Sequence, residues 1–208
     1  MPRELVLRCY TLLDCLQPQL AALMGTQVDG DPPIEGMASL AVEFAPGIQV
    51  FHFVDMVVKA TAVHPGIQVV EREFGAMEVH SISQEDARQA GKILLSEGGL
   101  QETDRLKPKI LSTQFITNVS ARQAQILNRR CPGALLIPGE TLLVLECDPA
   151  GYAYYATNEA EKAANIKVIA MEGIGRYGRM LLSGTEEDAL AAKAAAIQAL
   201  ESLKGREF

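Results

Sequence analysis

The chain has 208 residues and a formal net charge of −7, with 48% hydrophobic and 22% charged side chains, so a packed core is expected and a disordered chain is excluded. That acidity, together with the absence of tryptophan and the small number of aromatics, excludes the basic, stacking-rich surface of a nucleic-acid binder. No apolar run approaches the length of a membrane span, and the opening segment MPRELVLRCYTLLDC is broken by Arg3, Glu4, Arg8 and Asp14, so neither a lipid-membrane anchor nor a signal peptide is expected and the reading is cytoplasmic.

In chain order, the apolar run Leu5–Leu13 reads as a strand and Pro18–Leu23 begins a short helix. A turn-rich segment, GTQVDGDPPIEG, leads to a strand at Ala38–Phe44 that ends at Pro46, where proline suits a strand end and a helix start. A helix is predicted over about Ile48–Ala62, and two strands, Ile67–Val70 and Met77–Ile82, flank a loop. Ser83-Gln84-Glu85-Asp86 then opens a last helix, its hydroxyl placed to accept a free main-chain N–H and its acids favoured in the first turn. After a junction near Gln101–Lys107 the same order returns. A strand at Pro108–Ile116 and a helix start at Ala121–Ile126 precede the turn segment NRRCPGALLIPGE. A strand at Thr141–Cys147 stops at Pro149, a helix covers Gly151–Ala164, and strands at Lys167–Met171 and Met180–Leu182 lead to the cap Thr185-Glu186-Glu187-Asp188.

At an offset of 103, Ala21 meets Ala124, Glu43 meets Glu146, Pro46 meets Pro149, Lys59 meets Lys162, Gly75 meets Gly178 and Met77 meets Met180. The chain is therefore expected to be two copies of one unit, residues 1–103 and 104–208, too few and too long to be a solenoid. Each unit reads as a small α/β (α+β) domain with a mainly antiparallel sheet and helices on one face.

Two features invite other chemistry. Gly173-Ile174-Gly175-Arg176-Tyr177-Gly178 fits GxGxxG, but the following Met180-Leu181-Leu182 reads as a strand where a dinucleotide site needs a helix N-terminus. Cys9, Cys15, Cys131 and Cys147 form no CxxC pair, and His52, His64 and His80 have no metal-ligand spacing, so four small buried thiols, no disulfide, no metal and no cofactor are expected.

The helix segments Asp55-Met56-Val57-Val58-Lys59-Ala60 and Glu159-Ala160-Glu161-Lys162-Ala163-Ala164-Asn165, with the hairpins that follow, resemble bacterial microcompartment shell proteins over essentially the whole chain. A strand and helix that usually end the family's domain here precede it in both copies, as in the circularly permuted, tandem-domain branch. The segments Ile67–Gly75, Asp104–Ile110 and Gly139–Leu142 are similar to cyanobacterial β-carboxysome members of that branch.

The resemblance implies a homotrimer whose six domains form a pseudohexagonal tile around a central pore, with trimers able to stack face to face. It implies a pore gate at Glu71 and Arg72, with Glu73, Phe74, Ile174, Gly175, Arg176 and Tyr177 nearby, and tile edges at Lys59 and Lys162. Other hexameric and pentameric shell proteins would be its neighbours in a cyanobacterial carboxysome. Larger phosphorylated metabolites, ribulose bisphosphate and 3-phosphoglycerate, would be its cargo, with no catalysis.

Physical chemistry gives the gate its own expectations. Three Arg72 guanidinium groups on a threefold axis repel by ~2 kcal/mol per pair at ~7 Å and an effective dielectric near ~20, so they need carboxylate partners or phosphate dianions. An extended segment sends neighbours to opposite sides, which makes Glu71 poorly placed for its own Arg72 and better placed for one of an adjacent subunit. Glu71 and Arg72 meet Ile174 and Gly175 in the repeat, so each chain carries one gate. Arg105, Lys107 and Lys109 crowd the junction as a possible anion site. Residues 1–103 carry 6 basic and 14 acidic side chains against 13 and 12 in residues 104–208, a contrast that favours unlike neighbours in a ring. Two other classes stay open. One is a soluble metabolite-binding module, the other a trimeric enzyme with an interface site using His64, His80 or Glu78, although no nucleophile, base and orienting set stands at a recognisable spacing.

Overall fold

The computed structural model describes residues 4–208. The first half contains β1 (Val6–Leu13), α1 (Pro18–Gly25), β2 (Ala38–Ala45), α2 (Gln49–Ala60), β3 (His64–Glu71), β4 (Phe74–Ser81) and α3 (Gln84–Glu97). After a short 3-10 turn at Glu102–Asp104 come β5 (Lys109–Ile116), α4 (Ala121–Asn128), β6 (Thr141–Asp148), α5 (Tyr152–Ala163), β7 (Lys167–Glu172), β8 (Gly178–Gly184) and α6 (Glu186–Ser202). Two four-stranded antiparallel sheets result, ordered β1-β2-β4-β3 and β5-β6-β8-β7. Even the irregularities repeat: β1 and β5 bulge at Leu7/Cys9 and Ile110/Ser112, and β3 and β7 bulge at Pro65/Ile67 and Val168/Ala170. Bulges are specific features of a strand, so their recurrence marks one backbone used twice.

The helix caps follow from local chemistry. Ser83 Oγ accepts the Asp86 N–H at 3.3 Å and Thr185 Oγ1 accepts the Asp188 N–H at 3.1 Å. α1 starts at Pro18 behind Gln17, which gives no side-chain cap. A carboxylate from the other half does this instead: Glu161 of α5 accepts the N–H groups of Gln19 at 2.8 Å and Leu20 at 3.0 Å. Asn158 Oδ1 accepts the Gln17 N–H at 3.0 Å.

This docking interleaves the halves. One core joins Leu13, Leu20 and Met24 to Leu143, Tyr152, Ala156 and Met180. A second lies within the first half around Phe44, Val50, Phe53, Met77 and Leu94, with the Phe44 and Phe53 rings stacked at 4.6 Å. A smaller third core holds Val119, Leu136, Leu142 and Ile169.

Two expectations change. The β3–β4 loop, expected over residues 71–76, shrinks to the two-residue turn Arg72–Glu73, because Glu71 pairs with Phe74 and the buried Phe74, Gly75 and Ala76 already belong to β4. Only Cys9 and Cys147 are buried, and burial pushes the Cys147 thiol up to about 12; Cys15 and Cys131 lie beyond the strands in turn segments and stay partly exposed. The GxGxxG segment leads straight into β8, as expected from Met180-Leu181-Leu182, so no helix N-terminus faces its glycines.

Candidate functional site

The register of the first hairpin pairs Glu71 with Phe74, which leaves Arg72 and Glu73 as the turn. Arg72 takes a φ of 57°, a left-handed conformation that costs a bulky residue of the order of 1–3 kcal/mol and tends to persist where function requires it. The same angle overturns the expected separation of the two gate side chains. Leaving the extended conformation rotates Arg72 back beside its neighbour, and its Nε lies 3.4 Å from Glu71 Oε1 of the same chain. The Arg72 side chain is otherwise in solvent.

Close backbone approach fixes where this turn sits. Gly47 donates its N–H to the Glu73 carbonyl at 2.9 Å, and a Cβ on Gly75 would lie 2.1 Å from the Gly47 oxygen. Gly178 meets the Ala150 oxygen in the same way at 2.2 Å, which explains why this glycine recurs in the repeat.

The second hairpin turn, Gly173–Tyr177, lies beside the first, with the Gly175 Cβ position 3.7 Å from Glu71 Oε2. Together they line an open cavity of about 690 Å³ formed by Glu71, Arg72, Glu73, Phe74, Ile174, Gly175, Arg176, Tyr177 and Arg179. All the pore-region residues singled out in sequence are thus brought into one place. Arg179 is tied down, donating from Nε to Glu146 at 2.7 Å and from Nη1 to Glu172 at 3.1 Å. Arg176 is held more loosely, by an Nη2 to Asp148 Oδ2 separation of 3.6 Å, by the Tyr177 side chain and by proximity to the Phe74 ring.

Beneath the turns lies a cluster that sequence reasoning missed. Arg8 pairs with Glu43 through Nε and with Asp148 through Nη2 at 3.0 Å, all three side chains being buried. Burial raises the pKa of Glu43 against the lowering pull of Arg8. The available signal was a charged residue in the middle of each of two apolar strands, Arg8 in VLRCYTLL and Glu43 in ASLAVEFA. A second buried group joins Ser39 Oγ to Glu78 Oε1 at 2.6 Å and Glu78 Oε2 to His80 Nδ1 at 3.2 Å. Ser39 here donates to the carboxylate and not to the imidazole, so the three do not form a nucleophile–base pair. His64 sits apart with Asp31 at 2.8 Å, its ring stacked 6.2 Å from His80.

The remaining candidates do not join the cavity. Lys59 is exposed at the end of α2 and pairs with Asp55 at 2.6 Å, whereas Lys162 is held by Glu159 at 2.8 Å and Asp14 at 3.2 Å. The three junction cations each have partners of their own. Arg105 is buried and donates to the Lys204 and Tyr10 carbonyls, Lys107 faces Glu207 at 3.8 Å, and Lys109 lies 3.8 Å from the Phe208 ring centroid. Among the described residues no group of three or more metal-ligating side chains converges, and no helix is long and apolar enough to cross a membrane.

With this geometry in hand, the comparisons are specific. A family model described as the CsoS1D N-terminal domain matches residues 7–104. Over 201 residues the chain is 49% identical to the carboxysome shell protein CcmP of Synechococcus elongatus, covering 97% of this chain and 94% of that relative. It is 40% identical to the carboxysome shell protein CsoS1D of Hydrogenovibrio crunogenus, covering 96% and 98%. Among solved structures, a fused permuted hexameric shell protein of the RMM microcompartment matches with a TM-score of 0.92 at 39% identity, over 96% of this chain and 100% of that one. A double ringed trimeric shell protein of the same microcompartment matches with a TM-score of 0.94 at 35% identity, over 98% and 100%.

Proposed function

Because the chain belongs to the tandem-domain family of microcompartment shell proteins, we propose that it is a structural, non-catalytic tile of a carboxysome shell, three chains closing a ring around a pore gated by Glu71 and Arg72. Residues 1–103 and 104–208 are the two shell domains in this reading.

One observation carries it. Surfaces that are covered where the first half meets the second are bare at the corresponding places in the other copy of the repeat, 103 residues away. Leu23 is 3% exposed against α5, and its counterpart Ile126 on α4 is 59% exposed; Tyr154, at 3%, has Phe51 at 50% as its counterpart on α2. β1 is covered along its length, whereas β5 is open at Leu111 and Ile116. One half-to-half operation, repeated, lays α2 of the next chain over β5 and α4. This is a heterologous contact, which closes a ring when six halves complete the turn.

The double ringed relative supports two such rings stacking face to face. Lys59 and Lys162 form the tile edge, where hexameric and pentameric shell proteins adjoin. The arginine-bearing turns at the axis favour passage of anionic, phosphorylated metabolites such as ribulose bisphosphate and 3-phosphoglycerate. Light scattering on a sizing column tests the assembly: chains of 22.5 kDa give 67.5 kDa for one ring and 135 kDa for a stacked pair. A monomer or dimer across concentrations overturns it. Arg72→Ala is expected to weaken binding of 3-phosphoglycerate several-fold with the mass unchanged.

A further inference from the structure

The pore reading makes no use of the buried network beneath the turns, and that network meets the gate at one side chain. Phe74 follows the Arg72–Glu73 turn directly, and two guanidinium groups lie against its ring, that of Arg8 at 3.6 Å and that of Arg176 at 5.9 Å from the centroid. Both arginines share one carboxylate, Asp148, which gives Oδ1 to Arg8 and Oδ2 to Arg176.

The two are held very differently. Arg8 is buried and bound twice, and its partner Glu43 also accepts the Gly151 N–H at 3.3 Å. The Arg176 side chain is 55% exposed, and its ion pair with Asp148, at 3.6 Å, is longer than a hydrogen bond. Arg176 can therefore leave Asp148 without stranding a buried charge, because Arg8 stays.

We propose that Arg176 is an anion-sensing residue: a phosphate monoester dianion entering the cavity draws Arg176 from Asp148, and its departure from Phe74 moves the Glu71–Arg72 turn out of its present arrangement. The proposal rests on the pore-gate reading and supplies its trigger. The cavity lining offers a dianion two cations. Arg179 is neutralised by Glu146 and Glu172, which leaves Arg72 and Arg176 as the available cations against Glu71 and Glu73. Two arginines can bind phosphate oxygens bidentately, a stronger interaction than either makes with its present carboxylate. The shift in the turn then follows from the ligand's preference for the arrangement in which Arg176 is free.

The test is amide hydrogen exchange over residues 70–76 with and without inorganic phosphate, acetate serving as the monoanion control, on the assembled protein. In the native chain phosphate is expected to change exchange in this segment and acetate to have no effect. Arg176→Gln is expected to remove the phosphate response or to require at least tenfold more phosphate. Asp148→Asn is expected to exchange without ligand as the native chain does with phosphate, and to bind phosphate several-fold more tightly. An equal phosphate response in Arg176→Gln, or no response in the native protein, overturns the proposal. Since Asp148→Asn also touches Arg8 and can disturb folding, the Arg176→Gln result decides alone. Light scattering on the same samples separates this from failure of the tile, because a native protein that is not a ring fails there first.

Discussion

At Glu140 three donors converge on one carboxylate: Lys167 Nζ, Ser183 Oγ at 3.0 Å and the Ile137 N–H at 3.2 Å. Burial alone would raise its pKa, but the hydrogen bonds from Lys167, Ile137 and Ser183 prevail and hold it below the ordinary carboxylate range. A depressed carboxylate pKa contributes stability that is present above the unfolded value near ~4.3 and is lost as pH falls through the folded value. Glu140→Gln is therefore expected to melt about 2–4 °C lower at neutral pH, on the order of 1 kcal/mol for a chain of this size, with the difference closing in acid. Thermal melts of both proteins across pH check this; a gap that persists in acid excludes the charged form as its source. The residue scale is also where alternation misled. An extended segment places Arg72 on the opposite side from Glu71, and one left-handed φ reverses the relation.

At the scale of elements, the contrast between α1 and α4 shows how one unit was adapted to two surroundings. α4 is capped from its own sequence, Ser120 Oγ accepting the Gln123 N–H at 3.2 Å. α1 has glutamine at the corresponding position and depends on Glu161 of the other half. Helix N-termini leave N–H groups without internal partners, so both solutions answer the same need. Glu161→Ala removes a charged acceptor from two of these groups and is expected to cost about 2–3 kcal/mol, against about 1 kcal/mol for Ser120→Ala. Denaturant melts rank the two, and hydrogen exchange should open α1 in the first variant and leave it protected in the second. Equal costs would show that the cross-half cap adds nothing beyond a local one. Position 58, the counterpart of Glu161, is valine, so α2 has no such carboxylate to lend.

For the whole molecule, the bare face of β5 and α4 is the decisive surface. Placing a charge at its centre, Ile126→Asp, is expected to leave each chain folded, since the side chain is exposed in the monomer, and to shift the mass from 67.5 or 135 kDa to 22.5 kDa. Burying an isoleucine stabilises by about 1.5–3 kcal/mol, and three equivalent sites per ring lose it together. An Ile126→Asp ring that stays intact at low concentration would place the contact elsewhere. The repeat made two units legible, and with them the pairing of Lys59 with Lys162 and Gly75 with Gly178, because identical backbones impose identical local demands. Sequence alone did not reveal that Lys162 would be held by Asp14 while Lys59 stays exposed, since the two copies meet different neighbours.

Element order, strand ends at Pro46 and Pro149 and hydroxyl caps at Ser83 and Thr185 were determined by the sequence itself, because each depends on residues a few positions apart. The convergence of both hairpin turns on one cavity, the sharing of Asp148 by Arg8 and Arg176 and the loan of Glu161 to α1 were decided only by the tertiary structure. Arg8 and Asp148 lie 140 residues apart, and burying a charge is tolerable only where folding brings its partner within reach.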